Sequence, residues 1–180
     1  MKKTLLLLVV LFVTFSMNAQ YVVEDHDGNV ITDGMVVEFS DYGVPNGSLE
    51  YYITNNDSNE IYMRIEFVDA INATGAGFEL CFGQCFIDLV VGQTVPNAPG
   101  FVTIPSGGTN LDGDHFATTA PATELQDYNF RFYLTDAEGN DIGNNLNFTY
   151  RYDPILGLND IKELGVVISA TVISNEMEVV

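Results

Sequence analysis

Cys81 and Cys85 are the two cysteines of the chain, set four positions apart in Cys81-Phe82-Gly83-Gln84-Cys85. In an exported protein such a pair reads first as a disulfide. Three intervening residues with glycine in the middle suit a hairpin tip, where facing strand residues come close enough for the bond. A loop this short removes little denatured-state entropy, so the bond contributes about 2 kcal/mol at most. The alternatives are a redox pair, which departs from the two-residue spacing of thioredoxin-type motifs, and a metal site, which needs further ligands. His26 and His115 are the only histidines available.

Oxygen ligands are more plentiful. Asp25-His26-Asp27-Gly28-Asn29 places Asp25, Asp27 and Asn29 at alternate positions, as calcium loops do. Asp136, Glu138 and Asn140, with Asp141 beside them, form a second acidic tip, and Asp112 with Asp114 a third. Calcium is therefore the one candidate cofactor. Counted from Asp25, however, the sixth position is Val30 where an EF-hand needs Gly, and the twelfth is Val36 where it needs Glu. Hairpin turns use the same residue types, because Asp and Asn hydrogen-bond their own backbone.

No catalytic residue is assigned. His115, between Asp114 and Phe116, lacks the Gly-x-Ser-x-Gly elbow that would supply a nucleophile, and reads as a surface-loop histidine. Among 25 acids no one pair is singled out for glycoside hydrolysis. Gly107-Gly108 lacks the Lys and the helix of a phosphate loop. The candidate binding residues are His115 and three tyrosines, Tyr52, Tyr62 and Tyr133, which accompany Arg64, Arg131 and Arg151 on polar strand faces. Exposed aromatics on a sheet bind glycans or a partner, while the arginines also suit cross-strand pairing with acids such as Glu66.

Period-two alternation must position these groups. Leu49, Tyr51 and Ile53 share one face, as do Ile61, Met63, Ile65 and Phe67. Tyr128, Phe130, Phe132 and Leu134 do the same, and so do Leu146, Phe148, Tyr150 and Tyr152. Each strand has an apolar and a wetter face, and turn residues separate the runs at 27–29, 33–34, 55–59 and 136–140. The expected fold is all-β: an immunoglobulin-like antiparallel β-sandwich over 20–152, with a short C-terminal β tail. The missing Trp and the close cysteines exclude the antibody-domain signature. Residues 92–125, with four of the six prolines, read as surface loop apart from a short strand over 101–104. A linker spans 153–158.

The chain opens with Lys2-Lys3, an eleven-residue apolar run from Leu5 to Phe15, and a small residue at Ala19. That is the pattern of a signal peptide cleaved between Ala19 and Gln20, handed to the Sec translocon. The run is short of the roughly 20 residues that span a bilayer, so no membrane span is expected in the mature chain. Loss of Lys2 and Lys3 leaves four cations against 25 acids, and the formal charge moves from −19 to −21. Such a surface repels phosphate backbones, which disfavours nucleic acid as a partner.

Asn159-Asp160-Ile161, Val166 to Ile168 and Ile173-Ser174-Asn175-Glu176-Met177 match in order and spacing the opening of a known tail. The segment 159–180 resembles the start of the C-terminal sorting domain of type IX secretion in Bacteroidetes. Ala170-Thr171-Val172 stands where that family has its Tyr-Pro-Asn-Pro turn, and the later strands of the domain do not follow before Val180. The body, with Phe78 to Phe86, Asp114-His115-Phe116 and the strand pair 128–134 and 146–152, is similar to secreted flavobacterial proteins. The resemblance implies an immunoglobulin-like module ahead of an incomplete sorting signal, with the type IX machinery as a partner. It brings no catalytic residues. The function expected from these readings is a non-enzymatic binding or adhesion module, secreted or at the cell surface, whose ligand is an unidentified protein or glycan. Periplasmic retention is the alternative location. The other functional readings are a structural or accessory domain of a larger secreted assembly and a carbohydrate-active enzyme.

Overall fold

Alternating apolar side chains can be buried only if two sheets close on each other, and they do. A computed structural model describes residues 20–156, 170–173 and 176–179, and no helix occurs among them. The leader over 1–19, the end of the linker and the stretch 159–169 of the sorting-like tail lie outside the described residues.

The first sheet contains β1 (Tyr21–Asp25), β2 (Val30–Ile31), β4 (Ser48–Asn55), β6 (Phe78–Phe82), β7 (Gln84–Ile87) and β10 (His115–Thr118), in the order β2-β1-β4-β10-β6-β7. The second contains β3 (Met35–Phe39), β5 (Ile61–Ile71), β8 (Thr94–Val95), β11 (Gln126–Thr135) and β12 (Asp141–Tyr152), in the order β3-β12-β11-β5-β8. β9 (Val102–Ile104) also pairs with β5. The pairing is antiparallel with one exception, since β3 runs parallel to β12. In the tail, β13 (Ala170–Ile173) and β14 (Glu176–Val179) pair antiparallel with each other, Ile173 opposite Glu176. The position of the family's proline turn is thus held by strand, as β-branched Thr171 and Val172 favour.

Two readings of 92–125 need correction. His115–Thr118 is not loop but β10, a central strand between β4 and β6. His115 is accordingly a half-buried strand residue rather than a surface-loop histidine. The sequence hides this strand because Phe116, Ala117 and Thr118 are all buried, so no alternation marks it.

Phe116 fills the middle of the sandwich. Its ring centroid lies 4.9 Å from Tyr51, 4.8 Å from Phe130 and 4.9 Å from Phe148. Phe78 extends the cluster, 4.4 Å from Tyr128 and 5.1 Å from Tyr150. These rings meet tilted or edge-on, the arrangement their quadrupoles prefer. Both sheets contribute, so the cluster is the bond between the layers. Phe116→Ala is expected to destabilise the fold by about 3–5 kcal/mol, read as a lower urea midpoint with the slope unchanged.

Candidate functional site

The cysteine hairpin forms as its spacing requires. Gly83, at φ 66°, turns β6 into β7, and Cys81 faces Cys85 with Cα atoms 3.9 Å apart in a disulfide. Cys81 is buried and Cys85 exposed. Glu79, two residues before Cys81, points to the same outer face, and His115 lies opposite Cys81 on the neighbouring β10. Further along this face, Glu50 is opposite His115 and meets His26 at 3.3 Å, while the His26 ring lies 6.4 Å from that of Tyr52. One outer face therefore collects both histidines, two glutamates, Tyr52 and the disulfide.

The loop before β10 is pinned by two buried polar side chains. Asn110 Oδ1 accepts from the Ile53 backbone N–H at 2.6 Å. Its Nδ2 donates to the Tyr51 carbonyl at 3.3 Å and to Asp114 Oδ2 at 2.8 Å. The other Asp114 oxygen accepts from the Gly83 N–H at 2.8 Å, which ties the loop to the cysteine hairpin. Burial pushes the Asp114 carboxyl above its ordinary value, against the pull of Asn110, Gly83 and His115. It is a buried acid with both oxygens taken up by these bonds.

Two of the three acidic tips are copies of one turn. Asp25 Oδ1 accepts from the N–H groups of Asp27 at 2.9 Å and Asn29 at 2.8 Å, while Oδ2 accepts from Asn29 Nδ2 at 2.9 Å. Asp136 repeats this with Glu138 at 3.0 Å, Asn140 N at 2.7 Å and Asn140 Nδ2 at 2.8 Å. In each, a glycine supplies positive φ, Gly28 at 82° and Gly139 at 83°. At Asp136 the Asn140 bonds hold the carboxyl below its ordinary value. At Asp25 burial acts the other way and the bonds from Asn29, Asp27 and Gly28 outweigh it. Asp25 and Asp136, the first carboxylate of each set put forward for calcium, cap their own turns. The tips also belong to different hairpins, β1–β2 and β11–β12.

The three tyrosines do not form one patch, which corrects the sequence reading. Tyr52 lies on the outer face of the first sheet, Tyr62 and Tyr133 on the second. Tyr133 is 3 % exposed, set opposite Arg64 and beneath the Arg131 guanidinium at 4.3 Å. Tyr62 packs on Phe101 at 4.6 Å. The arginines have internal partners too: Arg131 bridges Glu66 and Asp141 at 2.8 Å each, and Arg151 grips Asp127 at 2.7 and 2.8 Å. Arg64 is buried, with Nε donating to the Gly100 carbonyl. Alternation revealed which face each residue takes but not which sheet, and a loop folding back over a polar face leaves no periodic signal.

A groove that sequence reasoning missed lies at the rim between the sheets. It measures about 340 Å³ and runs between the cysteine hairpin and the loop 96–101, with Phe86, Pro96 and Phe101 as apolar walls and Gln84 and Asn97 as amides. Its signal in the sequence was weak: a Pro/Gly-rich segment carrying one lone Phe101.

Two consequences are measurable. Asn110→Ala leaves the Ile53 N–H and an Asp114 oxygen unpartnered, an expected loss of about 2–4 kcal/mol at neutral pH. A carboxyl raised in the fold adds stability below 3.8 that is lost as pH rises through its folded value, and losing the Asn110 bond raises it further. The variant's deficit in urea denaturation is therefore smaller at pH 4 than at pH 8. Asp136 has the opposite sign. Asp136→Ala lowers Tm at pH 7 equally with calcium or chelator, and the deficit shrinks as pH falls below 3.8.

No protein-family model and no curated protein matches this chain. Among solved structures, the chain is similar to one described as the structure of the N-terminal domain of PorA, at 16% identity and a TM-score of 0.47, over 75% of this chain and 98% of that one.

Proposed function

We propose that this chain is an exported, non-enzymatic binding module, secreted or held at the cell surface, that takes an extended segment of a non-acidic protein along β7. The leader-like start, the disulfide and the type IX-like tail support export. The open edge carries the binding reading. β7 ends the strand order of its sheet, so among the described residues one side of Gln84–Ile87 has no strand partner. No Lys or Pro guards this edge, and Ile87 is 58 % exposed. The rim groove beside it offers apolar walls for alternate side chains, as strand addition requires.

Charge selects the partner. Arg64, Arg131 and Arg151 all face internal acids or carbonyls, which leaves acids to dominate the described surface. A neutral or basic segment is attracted and an acidic one repelled. The test uses fluorescent peptides of alternating valine and lysine or valine and glutamate. The lysine peptide binds, and a copy N-methylated at alternate residues, with equal charge, does not. Ile87→Lys weakens binding at least tenfold while Tm holds. Equal binding of the methylated or glutamate peptide would overturn the reading.

A further inference from the structure

The disulfide sits among side chains that a hairpin staple does not need. His115 Nε2 is 3.9 Å from Cys81 Sγ and 3.9 Å from Glu79 Oε2, and Cys81 Sγ is 3.8 Å from Glu79 Oε1. One donor atom each from Glu79, Cys81 and Cys85 falls within 4.8 Å of the others. In a tetrahedral zinc centre, bonds of roughly 2.0–2.3 Å put ligand atoms roughly 3.3–3.8 Å apart. The three separations involving Glu79, Cys81 and His115 are already close to that, breaking the bond lets the two sulfurs part, and the donors come from paired strands. β6 contributes Glu79 and Cys81, β7 Cys85 and β10 His115.

His115 is oriented for such a role. Its Nδ1 lies 2.7 Å from the Gly113 carbonyl, which can only accept, so Nδ1 carries the proton. The lone pair of Nε2 then faces the sulfur. A backbone carbonyl behind the ring is the support that metal-ligating histidines have. Two sulfurs, an imidazole and a carboxylate suit zinc rather than calcium or magnesium.

We propose that reduction of the Cys81–Cys85 bond turns this patch into a zinc site, with Cys81, Cys85, His115 and Glu79 as ligands. The reductant is a dithiol. Its two thiols join as a disulfide, and its two electrons and two protons pass to the cysteine sulfurs. Zinc then binds and displaces both protons. Exposure of Cys85 gives the dithiol a path to the bond. The fold survives the step, because the bond closes a loop of only five residues, worth about 2 kcal/mol, while the aromatic core joins the sheets.

The mature chain, reduced with dithiothreitol and desalted under argon, is titrated with cobalt(II) and then zinc, beside an oxidised sample. The reduced chain takes up one cobalt with thiolate charge-transfer absorption and tetrahedral visible bands, zinc bleaches both, and zinc raises Tm. The oxidised chain shows none of this. His115→Gln and Glu79→Gln, checked as folded by circular dichroism, each weaken cobalt binding at least tenfold. No tetrahedral spectrum in the reduced chain, or unchanged affinity in folded His115→Gln, would overturn the proposal.

Discussion

The structure depends on one substitution of side chain for backbone. β10 pairs with β4 over three residues, and beyond Glu50 the regular ladder gives way after a Tyr51 N–H bond to the Asp114 carbonyl and resumes only where Thr54 bridges Thr109. The Asn110 amide meets the Ile53 N–H and the Tyr51 carbonyl as a strand partner would, and Asp114 fixes the other side of that amide. Without this clamp, two backbone groups at the centre of the sheet would be buried and unpaired, which buried backbone seldom tolerates. The clamp also places the residues around it. Asp114 is tied to Gly83 at the hairpin tip, His115 is aimed along the outer face, and Phe116 drops into the core.

Tyr51 couples the two sides of that arrangement. Its ring packs on Phe116 and Phe132, and its hydroxyl donates to the Cys81 carbonyl at 2.8 Å. Burial, then the nearby Asp114 charge, push the phenol far above its ordinary value, so it remains a donor across the working pH range. The cysteine hairpin is therefore held from three directions: by the Tyr51 hydroxyl, by Asp114 and by pairing to β10. Its covalent bond is one constraint among several, so the hairpin's place in the sheet does not rest on that bond alone.

The long strands were legible because each has one dry face and one wet one, and 48–55, 61–67, 128–134 and 146–152 all show it. The turns were legible for a related reason: Asp25-x-x-Gly28-Asn29 and Asp136-x-x-Gly139-Asn140 carry their own hydrogen-bond acceptors. Their acids also suited calcium, though less well than turns, because a turn and a cation want the same oxygens. What stayed hidden was non-local. β10 lies between β4 and β6 with Phe116, Ala117 and Thr118 all buried, and shows no alternation. Tyr133 reads as polar-face but lies under Arg131, and Tyr52 sits on the opposite sheet from Tyr62. The cluster around Cys81 joins residues 34 positions apart, a meeting that only strand order and register define.

The two outer faces have opposite fates, and the loop 96–101 is the cause. Over the second sheet, Gly100 accepts from Arg64, Phe101 packs on Tyr62, and the tip around Gly139 closes in against Arg64 and Pro99, where a Cβ would collide. That face becomes a small second core. Among the described residues the first sheet has no such cover along β6, β7 and β10, so Glu79, His115 and Cys85 keep their contact with solvent. The same loop, reaching towards the hairpin, forms the far wall of the rim groove. One Pro- and Gly-rich segment thus closes one side of the sandwich and leaves the chemistry-bearing groups concentrated on the other, around a strand whose edge is open.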